Sequence, residues 1–280
     1  RHPKFKKKGK TRDSATYFRG CFTFRDGRLK LAKQDQPLDV RWSRPLPENA
    51  DPSQVTVSRD AAGRWFVSLL VEETITPHAP TEATVGIDAG ITTLVTLSTG
   101  EKVTNPRHEK KDRAKLAKAQ RNLARKQKGS NNRAKARLKV AKVYARIADR
   151  RRDHLHKLTT RIVRENQTIV IEDLAVRNMV KNRSLARAIS DASWSELRSM
   201  LEYKADWYGR EVIAIDRWYP SSKTCSDCGH LLRSLPLNVR EWVCAECGTV
   251  HDRDVNAART ILAAGLAVSA CGDGVRPPRS

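Results

Sequence analysis

The sequence predicts an α/β chain. A mixed sheet is interrupted by a helical hairpin and a metal-binding ribbon, and a small all-β, barrel-like module precedes it. Three observations carry this reading. Apolar and polar residues alternate at period two through much of 14–73. From 107 to 164 the apolar spacing is helical, with one break at 129–132. Two short β-branched runs, 84–97 and 168–174, each carry an acid inside or at the end.

Taken in order, residues 1–12 are basic and poor in apolar side chains, and read as a solvated arm. A chain opening on Arg1 inside a basic run reads as a fragment of something longer. From Ser14 to Glu73 the pattern is β. Asp26-Gly27 is a hairpin signal, and the runs 38–42, 54–60 and 64–73 read as further strands. Pro37, Pro45, Pro47 and Pro52 punctuate the loops. Cys21 falls on an apolar strand and is expected to be inert core. Residues 76–81 form a Pro-containing linker.

The stretch 84–97 reads as strand, turn at Ala89-Gly90, strand. Asp88 is the one charge inside it. A carboxylate there is costly unless it is at an edge, paired, or holding a cation. Opening the turn is the alternative, since Asp and Gly are ordinary turn residues. Gly86 and Gly90 flank it and permit close approach of backbone or ligand.

After Asn105-Pro106 the helical hairpin runs to Arg164. Its second arm has an apolar stripe of Leu138, Val140, Val143, Ile147, Leu155, Leu158 and Ile162. Its other faces carry roughly twenty Lys and Arg with few acids to balance them, Lys111, Arg121, Arg125 and Lys139 among them. Phosphate contact explains that excess better than solubility does.

Residues 168–174 read as a buried strand with Glu172 and Asp173 at its carboxyl end, where α/β folds bind ligands. Residues 178–192 read as a loop or loose basic helix. Ser193 and Glu196 have capping-box spacing and open a helix with Trp194, Leu197, Leu201 and Tyr208 on one face. Those aromatics read as core rather than a stacking platform. Gly209 ends the helix, and 211–215 is another strand.

Cys225, Cys228, Cys244 and Cys247 make two CxxC turns fifteen residues apart. Each puts two thiolates on one turn, and two turns complete a tetrahedral four-cysteine site for structural zinc. His230 and His251 are nearby but not required. Asp252 and Asp254 follow, at the start of a helix whose apolar face is Ala258, Ile261, Leu262 and Leu266. Simple N-capping would account for either acid. The tail from Cys271 is rich in Gly and Pro and reads as disordered.

The chain has 280 residues, with Lys+Arg at 54 against Asp+Glu at 31, a formal net charge of 54 − 31 = +23. That excess points to a polyanion. No apolar run reaches the length of about eighteen residues that a membrane span needs, and no signal peptide is visible. Nucleic acid is therefore favoured over a membrane, and a cytoplasmic, nucleoid-associated location is expected. An acid in one strand, an acid ending another and an acid opening a late helix can meet on one face of a mixed sheet. Such a set would hold Mg²⁺ or Mn²⁺ through hard oxygens, the ribonuclease-H-like arrangement.

GIDAG at 86–90, IVIEDLAV at 169–176, YPSSKTCSDCG at 219–229, CAECG at 244–248 and DRDVNAA at 252–258 resemble the TnpB family, also called OrfB. These are transposon-encoded proteins related to the type V CRISPR effectors. The order of the motifs matches too, over nearly the whole chain. The resemblance implies a RuvC-type nuclease domain over 83–220, with the basic hairpin at 107–165. A zinc ribbon would follow at 221–250, a last RuvC segment at 251–270 and a disordered tail at 271–280. It implies that 1–82 is the later part of a wedge β-barrel. The earlier part of that barrel and a helical recognition lobe are not represented. It implies Asp88, Glu172 and Asp254 as the metal-binding triad, and RNA-guided cleavage of DNA, with DNA and a guide RNA as partners. A non-cleaving nucleic-acid binder, such as a guide-directed repressor of the same fold, would be expected to lack one or more of these acids, and a fragment that folds but is inactive alone is a further alternative. A DNA-joining transposase could use a similar triad.

Overall fold

The computed structural model describes residues 13–47 and 50–270. The basic arm of 1–12 and the tail of 271–280, with Cys271, lie outside the described residues. The chain divides into two compact units. One takes the residues up to Ile75 and Arg113–Arg146; the other takes Thr76–Asp112 and the residues from Ile147 on.

In the first unit β1 (Asp13–Phe18), β4 (Gln54–Arg59) and β5 (Trp65–Leu70) form an antiparallel sheet with β4 central. The strands β2 (Phe22–Arg25) and β3 (Arg28–Leu31) form a separate hairpin. Its turn residues Asp26 and Gly27 both have positive φ, 49° and 71°, the conformation that matches strand twist in a two-residue turn. Leu29, Leu31 and Val55 form the core, with Tyr17, Phe24, Trp42, Val57 and Val67 packed against it. Among the described residues no closed barrel forms, so the barrel expectation is corrected. Residues 38–42 are not a strand either. Leu38, Val40 and Trp42 alternate inward as expected. Their main tethers are the Leu38 N–H on Leu29 O at 2.7 Å and the Trp42 indole N–H on Gly27 O at 2.8 Å, which make no ladder. Cys21 is exposed in the turn after β1 rather than buried, its N–H closing that turn on Phe18 O.

The basic hairpin is α1 (His108–Ala124) and α2 (Asn131–Glu165). Ser130 caps α2, its Oγ accepting the Arg133 N–H at 3.2 Å. The Arg133 guanidinium donates to Leu123 O and Lys126 O, carbonyls left open where α1 ends. Of the expected stripe, Val143, Ile147, Leu155, Leu158 and Ile162 are buried, while Leu138 and Val140 are half-buried.

The second unit is built on a five-stranded sheet of β6 (Thr84–Ala89), β7 (Thr93–Leu97), β8 (Lys102–Thr104), β9 (Thr168–Glu172) and β10 (Glu211–Ile215). The order is β10-β9-β6-β7-β8. β10, β9 and β6 are mutually parallel, and β7 and β8 return antiparallel. The short β8 had no clear alternation to announce it. Helices α3 (Val176–Met179), α4 (Ala186–Ala192) and α5 (Trp194–Tyr208) follow β9, and α6 (Arg253–Ala270) comes last. The ribbon contributes β11 (Glu241–Val243) and β12 (Val250–Asp252), an antiparallel pair. This is a mixed α/β, ribonuclease-H-like fold.

Strand alternation sorts the side chains. Val85, Ile87, Ile169 and Ile171 face a core with Leu155, Leu158, Ile162, Ile189, Trp194, Leu197 and Leu201. Val170 and Ile215 face the other way, onto Ile261 of α6. Gly86 shares that second face. A Cβ there would sit 2.1 Å from Ala258 O, so the close approach that Gly86 permits is the backbone of α6. The Trp194 face is core, as expected. The capping box is not formed. Ser193 has φ of 55° and its hydroxyl donates to Ser190 O, while its N–H still bonds Ile189 O of α4. Glu196 pairs instead with Arg152 at 3.0 Å. Gly209 does end α5, at φ of 67°.

Candidate active site

The face that α6 covers carries the acids. Ile87 and Ile171 are register partners, so the next residues, Asp88 and Glu172, stand side by side at the carboxyl ends of β6 and β9. By alternation both share the α6 face with Gly86 and Val170. Asp254 lies in the first turn of α6. Burial, then the negative charges of Glu172 and Asp254, push the Asp88 carboxyl up to about 7, while Arg253 and Arg240 act in the opposite sense. Burial also raises Glu172, against the pull of a 2.8 Å hydrogen bond donated by the Ser221 hydroxyl. Asp254 Oδ1 lies 3.4 Å from a guanidinium nitrogen of Arg240.

The neighbouring acids have other work. Asp252 Oδ1 accepts the N–H groups of Asp254 and Val255, at 3.1 and 3.0 Å, which makes Asp252 the N-cap of α6. Its other oxygen takes the Lys102 ammonium at 2.6 Å. Burial raises Asp252, but Lys102 and the capped N–H groups together hold it below the usual carboxylate range. Asp173 is clamped between Arg198 and Arg217. Asp88 thus feels the charges of both Glu172 and Asp254, while Asp252 and Asp173 are paired elsewhere.

Cys225, Cys228, Cys244 and Cys247 bring four sulfurs to within 4.8 Å of one another. Among the described residues this is the one set of three or more His, Cys, Asp or Glu groups drawn that tightly. Cys225 and Cys247 sulfurs are 3.7 Å apart, and Cys228 and Cys244 are 3.6 Å apart. A tetrahedral ion with metal–sulfur bonds of about 2.3 Å sets its sulfurs about 3.8 Å apart, whereas disulfide sulfurs stand at about 2.05 Å. The cluster can hold a metal ion and is not a pair of disulfides.

Sequence reasoning missed the groups that join ribbon and acids. The His251 ring is buried against Trp242, with Nε2 3.0 Å from Cys225 Sγ. Asn256, 1% exposed, uses both ends of its amide on the first knuckle. Its Nδ2 donates to Thr224 O at 2.7 Å, and its Oδ1 accepts the Ser226 N–H at 2.9 Å. Arg253 donates to Pro236 O at 2.6 Å, and the Thr260 hydroxyl to Ser221 O at 2.8 Å. The first turns of α6 are thus tied to the ribbon, and Ser221 ties the same segment to Glu172. Ser221 and Asn256 lie inside motifs already noted, so position marked them, though not their partners.

Lys111, Arg121, Arg125 and Lys139 are all exposed on the hairpin helices. No helix among the described residues is long and apolar enough to cross a membrane.

Two family models match the chain. "Probable transposase" matches residues 66–183, and "Cas12f1-like, TNB domain" matches 194–261. A "Putative RNA-guided DNA endonuclease" of Streptomyces pristinaespiralis is 70% identical over 279 residues, covering 100% of this chain and 69% of the relative. The "Putative RNA-guided DNA endonuclease InsQ" of Escherichia coli is 37% identical, covering 99% of this chain and 72% of the relative. Among solved structures, a Cas12f1–sgRNA–target DNA complex matches with a TM-score of 0.55 at 16% identity, a likeness of fold. It covers 89% of this chain, which spans 58% of that one. With two relatives matched along its whole length, the chain belongs to the TnpB/OrfB family of Cas12f1-related, RNA-guided nucleases.

Proposed function

We propose that this chain cleaves DNA phosphodiesters under the direction of a guide RNA, with Asp88, Glu172 and Asp254 as ligands for a pair of divalent cations, Mg²⁺ or Mn²⁺. The observation that carries the reading is the shared face. Acids from β6, β9 and α6, far apart in sequence, lie near enough that the charges of Glu172 and Asp254 add to burial in pushing Asp88 up to about 7. Hard oxygen donors held close at that cost are suited to a hard cation, whose charge would relieve the repulsion. Bound there, the ions would supply an activated water and stabilise the leaving oxygen of an in-line displacement. The chain's own residues do the rest. Ser221 orients Glu172, Asp252 caps the helix that carries Asp254, and Arg240 brings a positive charge beside the acids.

The four-cysteine cluster is read as structural zinc, since four thiolates close the coordination shell. The basic hairpin, through Lys111, Arg121, Arg125 and Lys139, is read as holding nucleic-acid backbone without regard to sequence. That suits an enzyme whose sequence reading is done by pairing with a guide. Its working place on this reading is cytoplasmic, at the nucleoid. The relatives' names and the motif order support the guide RNA. The test is cleavage of labelled target DNA by protein, guide and Mg²⁺. Cutting that requires all three supports the reading, and binding without cutting under every divalent cation tried opposes it.

A further inference from the structure

Trp218 is the most exposed large hydrophobic side chain among the described residues, at 84%. It stands on the six-residue segment 216–221 that leaves β10. Both ends of that segment are at Glu172. Ile215, just before it, is the register partner of Glu172 on β10. Ser221, at its far end, donates its hydroxyl to the Glu172 carboxylate at 2.8 Å. Three residues from either end, Trp218 Cα lies within about 11 Å of the Cα atoms of both Ile215 and Ser221.

The segment is held, not loose. Asp216 Oδ1 accepts the Trp218 N–H at 2.7 Å, and Tyr219 N–H closes a turn on Asp216 O at 3.1 Å. Arg217 is bound to Asp173. Tyr219 packs on Val170, Ile215 and Ile261. Asp216, Arg217 and Tyr219 each have a partner in the fold, whereas the indole is left largely in water.

An indole fixed in water beside a phosphodiester-cleaving site fits one kind of partner. The π-face of an unpaired base stacks on it at any sequence, whereas a paired base has both faces covered by its neighbours. We propose that Trp218 is a stacking platform for a base of the single strand lying across the acids, close to the phosphate to be cut. This rests on the nuclease reading of Asp88, Glu172 and Asp254, and adds a contact that positions the substrate strand without reading its sequence.

The probe is a short thymidine tract carrying 2-aminopurine at successive positions, bound to the Asp88→Ala chain so that nothing is cut. One position should be strongly quenched. Adding Trp218→Ala should relieve the quenching and weaken binding about tenfold, the worth of one stacked base. The slope of log affinity against log salt should stay the same, because no phosphate contact is lost. Trp218→Phe should restore most of both effects. Quenching and affinity untouched by Trp218→Ala overturn the proposal. With Asp88 restored, guide RNA and Mg²⁺ separate the two readings. Cutting without Trp218-dependent quenching sinks the platform alone. Trp218-dependent quenching without cutting sinks the nuclease reading and leaves the platform standing.

Discussion

Replacing Asp88 with Asn should make the fold more stable in buffer free of divalent cations, although it removes a functional group. In an unfolded chain the carboxyl titrates near 3.8, and in the fold burial and the charges of Glu172 and Asp254 push it up to about 7. Between those values the folded chain holds a proton that the unfolded chain has released. The protonated acid's contribution to stability is therefore complete below about pH 4 and is lost as pH rises through 7. The difference, 7 − 3.8 = 3.2, corresponds to about 4 kcal/mol at the top of the window. Solvent screening at this half-buried site brings that to roughly 2 kcal/mol. Asn matches the neutral acid in shape, so its effect should be near zero only below about pH 4 and should grow with pH to a gain of roughly 2 kcal/mol at pH 8. Urea unfolding followed by tryptophan fluorescence reads both, without a strong chelator, which would also strip the cysteine cluster. Adding Mg²⁺ at pH 8 should then stabilise the wild type more than the variant. A variant no more stable than wild type at pH 8 would refute the claim that burial and the neighbouring carboxylates make a charged Asp88 costly in the fold.

Protein purified without chelators should carry one zinc per chain, and Cys225→Ser should lower that on metal analysis. Because Asn256 and His251 tie α6 to the knuckle, stripping the zinc should also weaken Mn²⁺ binding at the acids, measurable by calorimetry. Replacing Lys111, Arg121, Arg125 and Lys139 by Ala should flatten the salt dependence of duplex binding by about 3–4 in log–log slope, and an unchanged slope means the hairpin is merely solvated. Gly86→Ala should destabilise the fold by about 3 kcal/mol or more, because its Cβ meets the α6 backbone at 2.1 Å. A thermal midpoint within a degree of wild type would mean α6 moves aside freely.

Most of this was legible where a local rule decides the outcome. The alternation of 84–97 and 168–174 placed Asp88 and Glu172 on strands, and the parity that sends Ile87 and Ile171 inward sends the acids to α6. Asp26-Gly27 and Gly209 need positive φ, and they have it. The two CxxC turns gave the cysteine cluster outright. The misses come from context that no local pattern holds. Leu38, Val40 and Trp42 alternate like a strand but are tethered to the β2–β3 hairpin by one backbone bond and one indole bond rather than a ladder. Ser193 has the spacing of a cap, but α4 runs straight into it and keeps its N–H. Cys21 reads as core only if its strand continues, and the chain turns there instead. Lys204 is buried with its ammonium on His156 O, Thr159 Oγ1 and Thr160 Oγ1, a pocket formed between distant segments. Asn256 and His251 likewise take their meaning from the ribbon, not from their neighbours in sequence.

The sharpest test of the central claim sets the two acids of the late helix against each other. Asp252 is the cap, bound to two N–H groups and Lys102, whereas Asp254 is the acid whose charge reaches Asp88. Cleavage and binding should be measured in the same preparations of full-length protein with guide RNA and Mg²⁺. Asp254→Ala should bind target DNA normally and not cut it, like Asp88→Ala and Glu172→Ala, because a shared metal site fails as a unit. Asp252→Ala should still cut, more slowly. Normal cutting by Asp254→Ala, with Asp252→Ala dead, would contradict the assignment of the third acid, and cutting by all four variants would contradict the site itself.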